Sequence, residues 1–475
     1  MIEKRQFYIN GQWVDPATAN DFDVIDPATE EACAVISLGS QADTDAAVAA
    51  ARAAFNGWAD TPLEDRVALI RKLGEVYNAR REEMAEAMRM EMGAPIDLAR
   101  TSQWGAGSWH LAGFLEALEN FDFEKQMGAD RIRKEPIGVC ALITPWNWPM
   151  NQVALKAIPA MAVGCTMVLK PSEIAPLSSL LFAEMVDEAG FPPGVFNLVN
   201  GDGVGVGSQL SAHPDVDMVS FTGSTRAGIA ISKAAADTLK RVSLELGGKG
   251  ANIIFADADE KAVKRGVIHC MQNSGQSCNA PTRMMVERAA YPQALEVARA
   301  TAEATSVGPT TQSGRHIGPV VSELQFNKIQ GLIETGIKEG ATLLAGGLGR
   351  PEGMNKGYYV RPTVFADVTP DMTIYREEIF GPVLSIIPFD TEEQAIEMAN
   401  DTVYGLTNYV QTQDDDKRLR VARKVRSGMV ETNGISRVQG SPFGGYKQSG
   451  NGREGGVWGL EEFCETKAVS GVPMG

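Results

Sequence analysis

The sequence predicts an α/β protein built from two units, each a mostly parallel sheet wound with helices. Two observations carry this. From Gly138 onward short β-branched runs alternate with amphipathic helical patterns, which calls for parallel strands joined by crossover helices. A second series of the same kind begins near Ala251 and runs to about Gly445, just after Gly247-Gly248, so a cleft is expected where the units meet. A chain of 475 residues leaves room for two or three domains with full cores.

In chain order, Phe7-Tyr8-Ile9 and Gln12-Trp13-Val14 flank Asn10-Gly11, the dipeptide a tight hairpin demands. Residues 43–119 read as helical: an Ala-rich run over 46–55, apolar residues at spacings of three and four over 63–92, and a third run from Pro95. Residues 121–134 are charged and read as irregular, with Glu135-Pro136 closing them. The first series then predicts strands at 139–143, 166–169, 195–199, 218–221 and 242–246, with helices over 176–189, 203–212 and 225–236. The second predicts strands at 251–255, 284–286, 342–344, 359–365, 384–388, 409–411 and 429–430. There is no low-complexity linker and no short repeat.

Composition narrows the function. Apolar residues make up 44% and charged residues 22%, as in an ordinary globular protein, and the net charge of −16 argues against nucleic acid or an anionic membrane as partner. Met1-Ile2-Glu3-Lys4-Arg5-Gln6 has no apolar leader, and no run reaches the ~20 apolar residues of a membrane span, so a cytoplasmic protein is expected. Six scattered cysteines are expected to be reduced, and four histidines without HExxH or CxxC spacing give no metal site.

Several short stretches carry chemistry. Gln272-Asn273-Ser274-Gly275-Gln276-Ser277-Cys278-Asn279 displays one thiol between small and polar residues; alone, Cys278 also reads as a small core residue. Pro145-Trp146-Asn147-Trp148-Pro149 holds a primary amide rigidly after a strand, suited to an oxyanion but also to a packing corner. Val168-Leu169-Lys170-Pro171-Ser172-Glu173 puts a cation and a carboxylate at a strand's carboxyl end, where a ribose could be held, or where a solvated pair could sit. Phe221-Thr222-Gly223-Ser224-Thr225 opens a helix toward a pyrophosphate. The run from Gly201 through Gly203 to Gly207 is glycine-rich but lacks GxGxxG spacing. Glu245, in the apolar strand before Gly247-Gly248-Lys249, would have its pKa raised by desolvation toward a general base's range; a solvent-facing strand Glu is the plainer alternative.

Seven motifs in order, Pro145-Trp146-Asn147, Lys170-Pro171-Ser172-Glu173, Phe221-Thr222-Gly223-Ser224-Thr225, Glu245-Leu246-Gly247-Gly248-Lys249, Gly275-Gln276-Ser277-Cys278, Glu377-Glu378-Ile379-Phe380-Gly381-Pro382 and Pro442-Phe443-Gly444-Gly445-Tyr446-Lys447, resemble the NAD(P)-dependent aldehyde dehydrogenase superfamily across essentially the whole chain. The resemblance implies an aldehyde dehydrogenase-like α/β fold: a Rossmann-type NAD-binding domain (1–119 and 136–246), a catalytic domain (247–446), a return segment (447–463) and a small β oligomerisation arm (120–135 and 464–475) that makes homodimers or homotetramers. It further implies NAD-dependent oxidation of an aldehyde to a carboxylic acid, with NADP a weaker cofactor because Glu173 repels a 2′-phosphate. Carried over residue by residue, Cys278 is the nucleophile, Asn147 an oxyanion donor and Glu245 the base that activates water. Lys170 and Glu173 would hold the adenosine ribose, Gly203 the adenine, Ser224 the pyrophosphate, and Glu378 with Phe380 the nicotinamide ribose. Trp146, Gln325 and Lys328 lie toward the nicotinamide end, and Lys156 with Glu454 match a proton relay. CoA-acylating relatives generally lack the Glu base, and non-catalytic ones tend to lose the thiol or the base; both are present here. Ser277, Asn279 and Arg437 depart from common residues at the substrate pocket, and Arg437 is expected to select an acidic or polar aldehyde or to be a plain surface residue.

Overall fold

The structure, a computed structural model, describes residues 1–471; residues 472–475 of the expected arm lie outside them. One seven-stranded sheet runs in the order Arg241–Glu245, Met218–Thr222, Val139–Ile143, Thr166–Lys170, Phe196–Leu198, Phe7–Ile9, Gln12–Val14. Its first five strands are parallel, and the N-terminal hairpin adds the last two antiparallel. The hairpin turns where expected, with Asn10 at φ 52° and Gly11 at φ 73°, the left-handed pair that matches the twist of its strands.

The second seven-stranded sheet runs Thr342–Ala345, Val364-containing Thr363–Ala366, Val383–Phe389, Arg283–Glu287, Ala251–Ile254, Thr407–Gln411, Met429–Thr432, and is parallel except at its first pair. Each sheet has its own apolar core of Val, Ile, Leu, Met and Phe. In the register of the first sheet, Ile143 pairs with Lys170 and Thr222 with Glu245, so the carboxyl ends of these strands form one edge. The carboxyl edge of an open parallel sheet is where its loops can meet a ligand.

Three differences from the sequence reading have clear causes. The charged segment expected to be irregular is a hairpin, Glu124–Met127 with Asp130–Pro136, onto which Cys464–Ser470 pairs antiparallel. Its exposure on both faces removes the alternation that marks a half-buried strand, and pairing across the chain makes it a sheet. The run between the first two parallel strands is a helix, Pro149–Val163, buried on almost every side. A helix apolar all round shows no amphipathic period. Residues 203–212 form a π-helical turn, Gly203–Gly207, before the short helix Ser208–Ala212, because glycines at alternate positions weaken the α-helical ladder. Among the described residues no helix is long and apolar enough to cross a membrane.

Candidate active site

Cys278 lines two cavities. One, about 160 Å³, is lined by Trp146, Asn147, Thr222, Ser224, Gly247, Gln325, Lys328, Glu378 and Phe380 as well as the thiol. The other, about 190 Å³, also reaches Cys278 and is lined by Trp109, His110, Trp148, Asn151, Arg437, Phe443 and Glu454. Gln152 borders both, and its Oε1 accepts from Thr222 Oγ1 at 3.0 Å.

The thiol is carried by a tightly turned loop. Asn273, Ser274 and Gly275 have φ of 52°, 56° and 74°, three left-handed residues in succession. Such backbone costs of order 1–3 kcal/mol per non-glycine residue and persists only where surroundings over-determine it. Here Asn273 Nδ2 donates to Asn147 O at 2.9 Å, Ser274 Oγ to Gly318 O at 2.7 Å, and Val321 N to Gln276 Oε1 at 2.9 Å. Gly275 has no alternative, since a Cβ would come 2.0 Å from Gly381 O. Among the described residues the Cys278 N–H has no carbonyl partner, and Asn147 commits one side of its amide by donating from Nδ2 to Gln276 O at 3.0 Å.

Electrostatics keeps the thiol protonated. Burial pushes Cys278 up to about 12, and the nearby carboxyls of Glu378, Glu245 and Glu454 push the same way. Burial also raises Glu245 well above the usual carboxylate range, helped by Glu454 and opposed by Lys156 and Arg453. Both Glu245 carboxyl oxygens are buried without a hydrogen-bond partner among the described residues. They lie beside two glycines: a Cβ at Gly444 would be 2.8 Å from Oε1 and one at Gly452 3.0 Å. Lys156 Nζ donates to Glu454 Oε1 at 2.6 Å and to Ser220 Oγ at 3.2 Å, a buried ion pair behind Glu245.

The remaining candidates fall along the same edge. Glu378, raised by burial, accepts from Gly248 N at 2.7 Å, and Lys328 Nζ donates to the Glu378 carbonyl at 3.0 Å. Phe380 is held at φ 60°, unusual for a bulky residue, with its ring edge-on to Trp146 at 5.4 Å. Ser224 caps the helix Thr225–Ala235, its Oγ accepting from Ala227 N at 3.3 Å. Lys170, Glu173 and Gly203 are not in the cavity of Cys278 but stand further along: Lys170 Nζ, 3.5 Å from Glu173, donates to Pro171 O at 2.6 Å and Gly201 O at 2.5 Å. A Cβ on Gly203 would meet open space. Among the described residues no group of three or more His, Cys, Asp or Glu is placed to hold a metal ion.

Sequence reading passed over three contributors. Trp148 donates from Nε1 to Ser277 Oγ at 2.8 Å, and Gln103 donates to Asn147 O at 3.1 Å from the π-helical turn Ala99–Gln103. The third is Gln152. π-turns recur at functional sites, but nothing local in Ala99-Arg100-Thr101-Ser102-Gln103 announces one.

The model of the aldehyde dehydrogenase family matches residues 13–469. The chain is 52% identical over 473 residues to 3-succinoylsemialdehyde-pyridine dehydrogenase of a Pseudomonas species, covering 99% of each protein. Its fold superposes on an aldehyde dehydrogenase from Bartonella henselae with a TM-score of 0.98 at 61% identity, over 99% of this chain and 100% of that one. A mutant of aldehyde dehydrogenase C from Pseudomonas syringae, in complex with NAD+ and octanal, gives 0.97 at 50% identity, over 98% and 96%. By sequence and by fold alike, the chain belongs to the aldehyde dehydrogenase family and is an oxidoreductase acting on aldehydes.

Proposed function

We infer that the protein oxidises an aldehyde to its carboxylic acid with NAD, through a thioester on Cys278 that water activated by Glu245 hydrolyses. The observation that carries this is that Cys278 lines two cavities, one bordered by Ser224, Glu378 and Phe380 and the other by Glu454 and the aromatic residues Trp109, Trp148 and Phe443. The first suits a dinucleotide: the helix opened by Ser224 offers its free N–H groups to a pyrophosphate, and Gln325, which borders the cavity, has a buried Oε1 without a partner among the described residues. Lys170 and Glu173 would take the adenosine ribose and Gly203, open above its backbone, the adenine. The Glu173 carboxylate disfavours a 2′-phosphate, which makes NADP the weaker cofactor. Glu378, with Phe380, Trp146 and Lys328 around it, would hold the nicotinamide ribose. Both the P. syringae enzyme and a betaine aldehyde dehydrogenase from Staphylococcus aureus form NAD+ complexes.

The Cys278 thiol loses its proton to solvent, its sulfur attacks the aldehyde carbon, and the carbonyl oxygen becomes an oxyanion held by the Cys278 N–H and the free side of the Asn147 amide, worth about 3 kcal/mol per donor. When bound, NAD supplies the acceptor that turns this adduct into a thioester. Glu245 then takes a proton from water. Its raised pKa suits a base working near neutrality, and no hydrogen bond must break for its carboxyl to swing toward the thioester. Glu454 and Lys156, behind it, carry the proton onward. The Pseudomonas relative's name and the octanal of the P. syringae complex support an aldehyde with an apolar body.

The division of the chain follows the same reading: residues 1–119 and 136–246 bind the cofactor, 247–446 carry the thiol, 447–463 return to the first sheet, and 120–135 with 464–475 form the arm of a homodimer or homotetramer. Cys278→Ala should abolish NADH formation from aldehydes while leaving NAD binding intact by calorimetry. Glu245→Gln should release one equivalent of NADH in a burst and then stall. Steady turnover by either variant would sink the mechanism.

A further inference from the structure

We propose that the preferred substrates are neutral aldehydes carrying a hydrogen-bond acceptor, a ketone oxygen or ring nitrogen, on an aromatic body, and that Arg437 reads the acceptor. The proposal rests on the oxidation reading and narrows it. The substrate-side cavity is walled by the rings of Trp109, Trp148 and Phe443, an aromatic lining that favours a flat apolar body. Arg437 lines it too, its guanidinium carbon 4.9 Å from the centre of the Phe443 ring. A guanidinium held by stacking keeps N–H groups for acceptors.

The charge of Arg437 is already balanced. Its Nε lies 3.5 Å from Glu431 Oε1, and its guanidinium has no further hydrogen-bond partner among the described residues. The second basic group on the cavity, His110, is neutral: burial pushes it down to about 4, and its Nε2 is 2.7 Å from Asn151 Oδ1. A carboxylate-bearing aldehyde would have to share the single charge of Arg437 with Glu431, whose side chain is 12% exposed, and would join Glu454 in the same cavity. That leaves one buried carboxylate without its counterion, a heavy cost. A ketone or pyridine nitrogen accepts from the free N–H groups and displaces nothing. Of the two selections expected of Arg437, the structure therefore assigns the polar one and disfavours the acidic one.

Three aldehydes test this by NADH formation with the full-length enzyme: 4-oxo-4-phenylbutanal, 4-phenylbutanal, which lacks the ketone, and 4-oxobutanoate, which carries a carboxylate. The wild type should favour the keto-aryl aldehyde over each of the others by about tenfold in kcat/KM, equivalent to about 1.4 kcal/mol. In Arg437→Met the ratio of the keto to the deoxo substrate should fall to near one. Glu431→Gln, which frees the charge of Arg437, should raise kcat/KM for 4-oxobutanoate relative to 4-phenylbutanal. An unchanged keto-to-deoxo ratio in Arg437→Met, or a wild type that prefers 4-oxobutanoate, overturns the assignment while leaving aldehyde oxidation standing. No NADH from any of the three overturns the oxidation reading and this proposal with it.

Discussion

Burial, joined by three nearby carboxyls, opposes ionisation of the Cys278 thiol. A thiol pushed up to about 12 gains thiolate with every rise in pH through the neutral range. Alkylation of Cys278 by iodoacetamide, corrected with Cys278→Ala, should therefore keep accelerating through pH 9 without a plateau; a plateau near pH 7 would contradict the electrostatic account. At this scale the residue types were readable from short motifs, since Asn147, Ser224, Cys278, Glu378 and Phe380, far apart in the chain, line one cavity. Their protonation was less so. Desolvation of Glu245 follows from an apolar strand, but its partnerless carboxyl beside Gly444 and Gly452, and the Lys156–Glu454 pair behind it, depend on segments that meet only in three dimensions.

Among elements, the loop ahead of Cys278 shows how local strain is anchored from afar. Gly275 fits against the Gly381 carbonyl, which binds the thiol loop to the segment bearing Glu378 and Phe380. Gly275→Ala should lower kcat by at least about tenfold, an effect of about 1.4 kcal/mol or more on the barrier, while far-UV circular dichroism stays native. Wild-type kcat in this variant would show that the close approach is not needed to aim the sulfur. The hairpin and the parallel strands were legible because Asn-Gly and β-branched alternation are local signals. The strands Ile2–Lys4, Asp21–Asp26 and Glu31–Ser37 passed unread; Glu31–Ser37 becomes a strand by pairing with both of the others.

For the whole molecule, the strand Cys464–Ser470 lies at the edge of its sheet, paired only with Asp130–Pro136, and most of its side chains are exposed. An unpaired edge of this length is a template for another chain. If it joins protomers, light scattering should give a multiple of the single-chain mass for the wild type. Of Lys467→Pro and Ala468→Pro, the one that removes an outward-facing N–H should shift that mass toward the monomer. An unshifted mass in both variants would place the contact elsewhere.

Alternation of strands and helices, the hairpin dipeptide and the ordered motifs sufficed to determine an α/β fold of two mostly parallel sheets in the aldehyde dehydrogenase family, because each is written in neighbouring residues. Tertiary structure alone decided that Thr222 and Glu245 share a strand register, that Gln103 donates to the Asn147 carbonyl while Gln152 lines both cavities with Cys278, and that Arg437 is balanced by Glu431. These are contacts across long stretches of chain, and burial, counterions and cavity shape come into being only when those stretches pack.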